Sequence, residues 1–349
     1  MVLRRGHRHR RRERRRQRSV RHQLQRARRP FTRPRGPTDH RPRSVRPPLR
    51  HHPGPDGRLG LPAIVIAFVL AAVFLGAFVL AEKRAKSPLL RLDLFRNRAF
   101  AVASVVAVVG MFAFLGTAYS VSIRLGPVQD QAPMRTGLAF VLLNGITLVM
   151  LPLTERLLRT VTPGLLLGTG LLLMAAGDYW AATLPITDTA FTSLILPLGL
   201  VGLGFSVTVS SITATAVNTV PTHLAGMASA TTNLLRDFGF TLGPAVIGAV
   251  ALSRAADSFS ASLHGSALPP ALKGAGTAVL EEGGPLAVNG ASAASPKLAD
   301  LHPLALDALG HGYSIGFVVC GTAALCSALL ALVTLLRSRT PSPDAAVEQ

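Results

Sequence analysis

The stretch GLVGLGFSVTVSSITATAVNTVPTHLAGMASATTNLLRDFGFTLGPAVIGAV (residues 199–250) decides the fold. It reads as two apolar segments, about 191–217 and 225–252, separated by a short polar link at Pro221. Each reaches the roughly 20 residues needed to cross a ~30 Å hydrocarbon core. Inside lipid a segment must satisfy its own backbone N–H and C=O groups, which makes these segments helices. Gly, Ala, Ser and Thr dominate both, and small residues let helix backbones approach closely where no water drives association. Working outward, five more apolar segments follow, at about 61–81, 99–123, 137–154, 163–184 and 310–336. The alternating pattern of a membrane barrel is absent. The sequence therefore predicts an all-α polytopic membrane protein with seven transmembrane helices.

Whole-chain averages obscure this. The formal charge of +20 comes almost entirely from residues 1–60, which hold 21 Arg, no Lys, six His and three acids. With few aromatics and no apolar periodicity, that segment cannot bury enough surface to fold and is expected to be disordered, outside the native fold. Three readings stay open for it. It is an arm that binds nucleic acid or anionic lipid, a solvated tail without a task, or the product of GC-rich coding DNA read out of frame. The last reading expects apolar spans in another frame of the upstream DNA.

Lys and Arg in the connectors set the orientation. The link 82–98 carries Lys83, Arg84, Lys86, Arg91, Arg96 and Arg98 and is expected in the cytoplasm, with 155–162, 218–224 and the tail 337–349. The link 124–136, the link 185–190 and a long loop 253–309 fall outside. Seven spans then place residues 1–60 outside the cell, against the usual charge bias. Cys320 and Cys326, six residues apart on one helix, point to different faces, so no bridge is expected between them.

From about residue 61 onward the chain resembles the fourteen-span drug/proton antiporter family of the major facilitator superfamily. The resemblance begins with AEKRAKSPLLRLDLFRNRAFAVAS (81–104), a basic amphipathic connector like the one that leads into the family's carboxy-terminal six-helix bundle. It continues in LPLTERLLRTVTPGLLLGTG (151–170), similar to the superfamily's cytoplasmic loop motif. Glu155 and Arg156 stand at its acidic and basic positions and Arg159 at the later basic one, whereas Leu151 and Leu158 replace glycines. Such a carboxylate–guanidinium pair can clamp neighbouring helices; a plain positive-inside loop is the other reading. The most specific part is Gly239, Gly243, Pro244 and Gly248, a G-x-x-x-G-P-x-x-x-G pattern that resembles the exporters' antiporter motif. Small-residue packing without gating explains it equally.

Arg236 and Asp237 are singled out on physical grounds. A helix that starts near Ala225 carries them roughly 17 Å along its axis at ~1.5 Å per residue, close to mid-membrane. Charges there face the bundle interior and need partners, for which Asn233, Asn218 and Asn144 are candidates. The family usually shows an arginine followed by glutamine, so Asp237 departs from the pattern. The expectation is that Arg236 shapes the central cavity and that Asp237 titrates or pairs with it; snorkelling from a helix that starts later is the alternative. Asp178, Tyr179 and Trp180 are placed at an outer helix end, as an aromatic belt with an interfacial carboxylate.

No phosphate-cradling loop, nucleophile elbow or His/Cys metal spacing is present, so neither an enzyme, a cofactor nor a metal site is expected. The resemblance implies a multidrug efflux transporter of the bacterial cell membrane, multi-pass, with its carboxy terminus in the cytoplasm. It implies membrane lipid, small amphipathic substrates and protons as partners. It also implies a missing amino-terminal half, or a second copy, without which the chain transports weakly or not at all. A non-transporting fragment and a membrane-tethered binder acting through residues 1–60 are the alternatives.

Overall fold

The computed structural model describes residues 92–335, together with 69–70, 73–74, 76–77, 80–81 and 84, which are helical. The arginine-rich segment 1–60, most of the first expected span 61–81 and the tail 337–349 lie outside the described residues.

Local chemistry sets where each helix starts. Helix α1 (Arg98–Ile123) follows Asn97, whose side chain accepts the Ala99 N–H at 3.0 Å and so caps one of the four orphan donors of the first turn. Helices α2 (Pro133–Thr160) and α3 (Pro163–Thr183) open with proline, whose missing N–H costs nothing at that position. They are followed by α4 (Phe191–Asn218), α5 (Ala225–Gly265), α6 (Pro270–Ala294) and α7 (His302–Leu335). Among the described residues there is no strand. Helices α1 to α5 and α7 are long and apolar enough to cross a membrane, and they coincide with six of the seven expected spans.

Their lengths depart from expectation. Helix α5 has 41 residues and α7 has 34. At ~1.5 Å per residue they reach about 60 Å and 50 Å, well past a hydrocarbon core of ~30 Å. The stretch 253–309, read from sequence as a loop, is therefore mostly helix: the end of α5, all of α6 and the start of α7. Hydropathy falls there, but the Ala and Leu content still favours helix. Phe259, Leu263, Val288, Leu301, Ala305 and Ala308 close these segments around a small core of their own.

Helix α7 packs against α1, α3 and α5, while α4 lies between α3 and α2. Met111, Leu171, Met174, Ile212, Ile247 and Phe317 fill the main core. Glycines permit the tightest crossings. A Cβ on Gly170 would stand 2.8 Å from the Gly204 carbonyl oxygen, so α3 and α4 touch backbone to backbone. Helix α2 differs from the rest, with Leu148 78%, Met134 76% and Val149 69% exposed. An apolar face of this kind suits lipid or another helix bundle, not water.

Candidate functional site

Helix α5 has two unlike faces. One carries Gly239, Gly243 and Gly248 and lies directly on α1. A Cβ on Gly243 would stand 2.7 Å from the Phe112 carbonyl oxygen and 2.8 Å from the Gly116 nitrogen. One on Gly248 would meet the Tyr119 hydroxyl at 2.9 Å, and one on Gly239 would run into the Val108 carbonyl. The glycines of the antiporter-like motif are thus a packing seam in which side chains are replaced by the neighbouring backbone. Pro244, inside the helix, removes one ladder hydrogen bond next to that seam.

The other face is open. Asn233, Leu234, Asp237 and Phe238 are exposed, and Leu234 and Phe238 are each 53% accessible. Arg236 is partly buried beside them; its Nη1 donates to Asn233 Oδ1 at 3.2 Å, and its Nε is enclosed without a partner. Because α5 does start at Ala225, these groups sit roughly 17 Å along it. The expected pairing is only partly there. Asn233 serves Arg236 rather than Asp237, whose charge acts on the neighbouring guanidinium, and Asn144 donates to the Phe140 carbonyl of its own helix at 3.2 Å.

Glu155, Arg156 and Arg159 occupy the last turns of α2 rather than a connector, and all three are exposed. Among the described residues they make no clamp to another helix. The helix runs on to Thr160, so the expected link 155–162 shrinks to two residues before Pro163. Arg159 in the final turn suits the negative end of the helix dipole.

Two polar residues take positions that the sequence reading missed. Arg124, expected in an exposed link, is 3% accessible and folds back over the end of α3. Its Nη1 and Nη2 donate to the carbonyls of Leu184 and Pro185 at 3.1 and 2.6 Å. Gln129 adds bonds to the carbonyls of Ile186 and Asp188 at 2.6 and 3.0 Å, so the two short links are tied together. In the second link, Asp188 accepts the Ala190 N–H at 2.9 Å. Hydrogen bonds from Ser193 and Ala190, with the Arg124 guanidinium nearby, hold its carboxyl below the usual carboxylate range.

Asp178 is the second. It was read as interfacial, yet it is fully enclosed where α3 meets α1 and α7, with Thr117 Oγ1 in hydrogen-bond contact with its Oδ1 at 2.6 Å. The signal was present: Leu167, Leu171, Met174 and Asp178 recur at helical spacing on the buried face of α3. A Cβ on Gly321 of α7 would stand 3.2 Å from the Asp178 Cβ, which is what leaves room for a carboxyl at that crossing.

The family model of the Major Facilitator Superfamily matches residues 43–244. It thus takes in 43–60, which composition had placed outside the fold. The chain is 30% identical over 285 residues to the tetracenomycin C resistance and export protein of Streptomyces glaucescens, covering 80% of this chain and 51% of that protein. It is 29% identical over 187 residues to the multidrug resistance protein Stp of Mycobacterium tuberculosis, covering 53% and 34%. It is 31% identical over 194 residues to the puromycin resistance protein of Streptomyces alboniger, covering 55% and 39%. The chain spans about half, or less, of the length of these relatives. With its helical bundle and a family match over more than half of its residues, the chain belongs to the Major Facilitator Superfamily, whose members are membrane transporters rather than enzymes.

Proposed function

We propose that the chain supplies the carboxy-terminal half of an exporter in the bacterial cell membrane, one that moves amphipathic small organic molecules outward in exchange for protons. The relatives named for export and for resistance to tetracenomycin C, puromycin and multiple drugs support this reading. The observation that carries it is the polar set Asn233, Arg236 and Asp237 on the open face of α5, part way along a membrane-length helix. Turned toward lipid, each charge would cost on the order of 2.5–3.5 kcal/mol on insertion scales. Facing a water-filled cavity between two halves, the same groups are solvated and placed near the midplane, where such transporters bind substrate. Arg236 keeps an unused donor for that cavity, and Asp237 is exposed to its water. Helix α2, with its exposed apolar face, is the second wall. The other half comes from an amino-terminal portion, in the same polypeptide or another, or from a second copy.

Efflux of a fluorescent amphipathic cation from lipid vesicles under an imposed proton gradient tests this. The expected result is transport when the chain is combined with the amino-terminal half of the tetracenomycin C export protein, little or none alone, and loss of transport on Arg236→Ala. No transport in the combination identifies a non-transporting fragment instead. RNA binding that falls log-linearly with salt would favour a binder acting through residues 1–60.

A further inference from the structure

We propose that Asp178 is a proton-binding site enclosed between α1, α3 and α7, holding a proton in the packing described above and exchanging it with water. It stands apart from Asp237, which is exposed on the open face of α5. Asp178 is 0% accessible, and its Oδ2 is enclosed without a hydrogen-bond partner.

The hydrogen bonds around it decide what the site can hold. Thr117 Oγ1 lies 2.6 Å from Asp178 Oδ1 and 3.0 Å from the Ala113 carbonyl oxygen. A hydroxyl has one hydrogen to give, so it cannot donate to both. With a proton on the carboxyl, the acid O–H donates to Thr117, and the Thr117 O–H donates to Ala113, while the buried Cys320 thiol lies against the same Thr117 hydroxyl. Without it, Thr117 must turn to the carboxylate, and that bond, with only the weak S–H donor of Cys320 beside it, is what the charge receives. A charge withdrawn from water needs a partner of opposite sign or several donors, and this crossing offers neither.

The titratable groups around the site are few. Helix α1 contributes Tyr119, which pairs with Tyr313, and Arg124, two turns further on and already spent on the Leu184 and Pro185 carbonyls. Helix α7 contributes the buried Cys320 thiol and Tyr313, and α3 itself Tyr179, whose hydroxyl is with Thr322 at 2.9 Å. Helix α4, packed on α3, carries no titratable residue. Asp178 lies five residues, about 7.5 Å along the axis, before the end of α3, so the proton has that depth of packing to cross beneath the Arg124 tie. On release the carboxyl O–H bond breaks, the proton passes to a water molecule, and the carboxylate keeps the electron pair.

Proton occupancy is read by infrared spectroscopy and export by efflux, so this site, whose use in antiport rests on the reading above, can fail while export stands. The full chain in lipid vesicles at neutral pH is expected to show a protonated-carboxyl C=O band that is absent in Asp178→Asn. The band should shift in Thr117→Val, which removes the hydroxyl without touching the acid, and should move in D2O as the proton exchanges. A spectrum identical in wild type, Asp178→Asn and Thr117→Val overturns the site. A band that never moves in D2O overturns the exchange.

Discussion

Replacing Gly243 by alanine tests the α1–α5 seam most sharply. The new Cβ would lie 2.7 Å from the Phe112 carbonyl oxygen and 2.8 Å from the Gly116 nitrogen, both backbone atoms that no side-chain rotation can clear. To reach an ordinary contact of 3.4 Å, the two helices must part by about 0.7 Å. A gap of that size forfeits a quarter to a half of each contact lining it, at ~0.1–0.2 kcal/mol per atom pair. With overpacking costs of about 1–3 kcal/mol, the penalty is about 2 kcal/mol. Alanine returns about 0.5–1 kcal/mol through its better helix propensity. The net loss of about 1–1.5 kcal/mol corresponds to a fall in melting temperature of roughly 2 °C for a chain of this size. Gly226, on the same helix, is the internal control, because a Cβ there meets nothing within 4 Å. Gly226→Ala is expected to leave the melting temperature unchanged or raise it slightly. Thermal unfolding of both variants in detergent, followed by circular dichroism, gives the comparison. Equal stability of the two variants would refute the seam.

Arg124→Met removes two charge-assisted bonds to the Leu184 and Pro185 carbonyls and leaves them unpaired. At ~1.5–3 kcal/mol for a bond to a charged group, a loss of about 3 kcal/mol is expected in the same assay, with Arg124→Lys intermediate. Asp188 gives a pH dependence. Its carboxyl is held below the ordinary value of 3.8, so its contribution is present above that value and is lost as pH falls through the lower, folded one. The melting temperatures of wild type and Asp188→Asn should therefore differ at neutral pH and converge below pH 3.8, and a gap unchanged on acidification would contradict this. Leu148→Gln, at the most exposed large apolar side chain of α2, should leave the isolated chain's stability within about 0.5 kcal/mol of wild type. The same change should lower transport in the assembled exporter if α2 meets the other half there.

The six described spans were legible because lipid makes a simple demand: about 20 apolar residues with no unsatisfied backbone. Past that demand the signal weakened. Residues 253–309 lost their hydropathy but kept their helix propensity, so a long helical cap was read as a loop. Glu155 and Arg156 were assigned to a connector for the same reason, since charge was taken to end a helix that continues to Thr160. Asp178 was judged by its distance from the helix end, whereas its face, shared with Leu171 and Met174, decides its burial. Arg124 could not be placed from sequence, because its partners are backbone carbonyls 60 and 61 positions away. On α5, Asn233, Arg236 and Asp237 stand out in any apolar helix, and the structure starts that helix at Ala225 as expected, whereas which face they share had to come from packing.

A cysteine scan along α5 tests most directly whether that face lines water. With Cys320 and Cys326 replaced by serine, single cysteines at positions 233, 237, 247 and 251 would be probed with a membrane-impermeant thiol reagent in the assembled transporter in vesicles. Positions 233 and 237 are expected to react, and to be shielded by a transported compound, while 247 and 251, closed against α1 and α7, stay silent. Labelling of 233 and 237 only by a lipid-soluble reagent would contradict the account, because the charged face of α5 would then look into the bilayer.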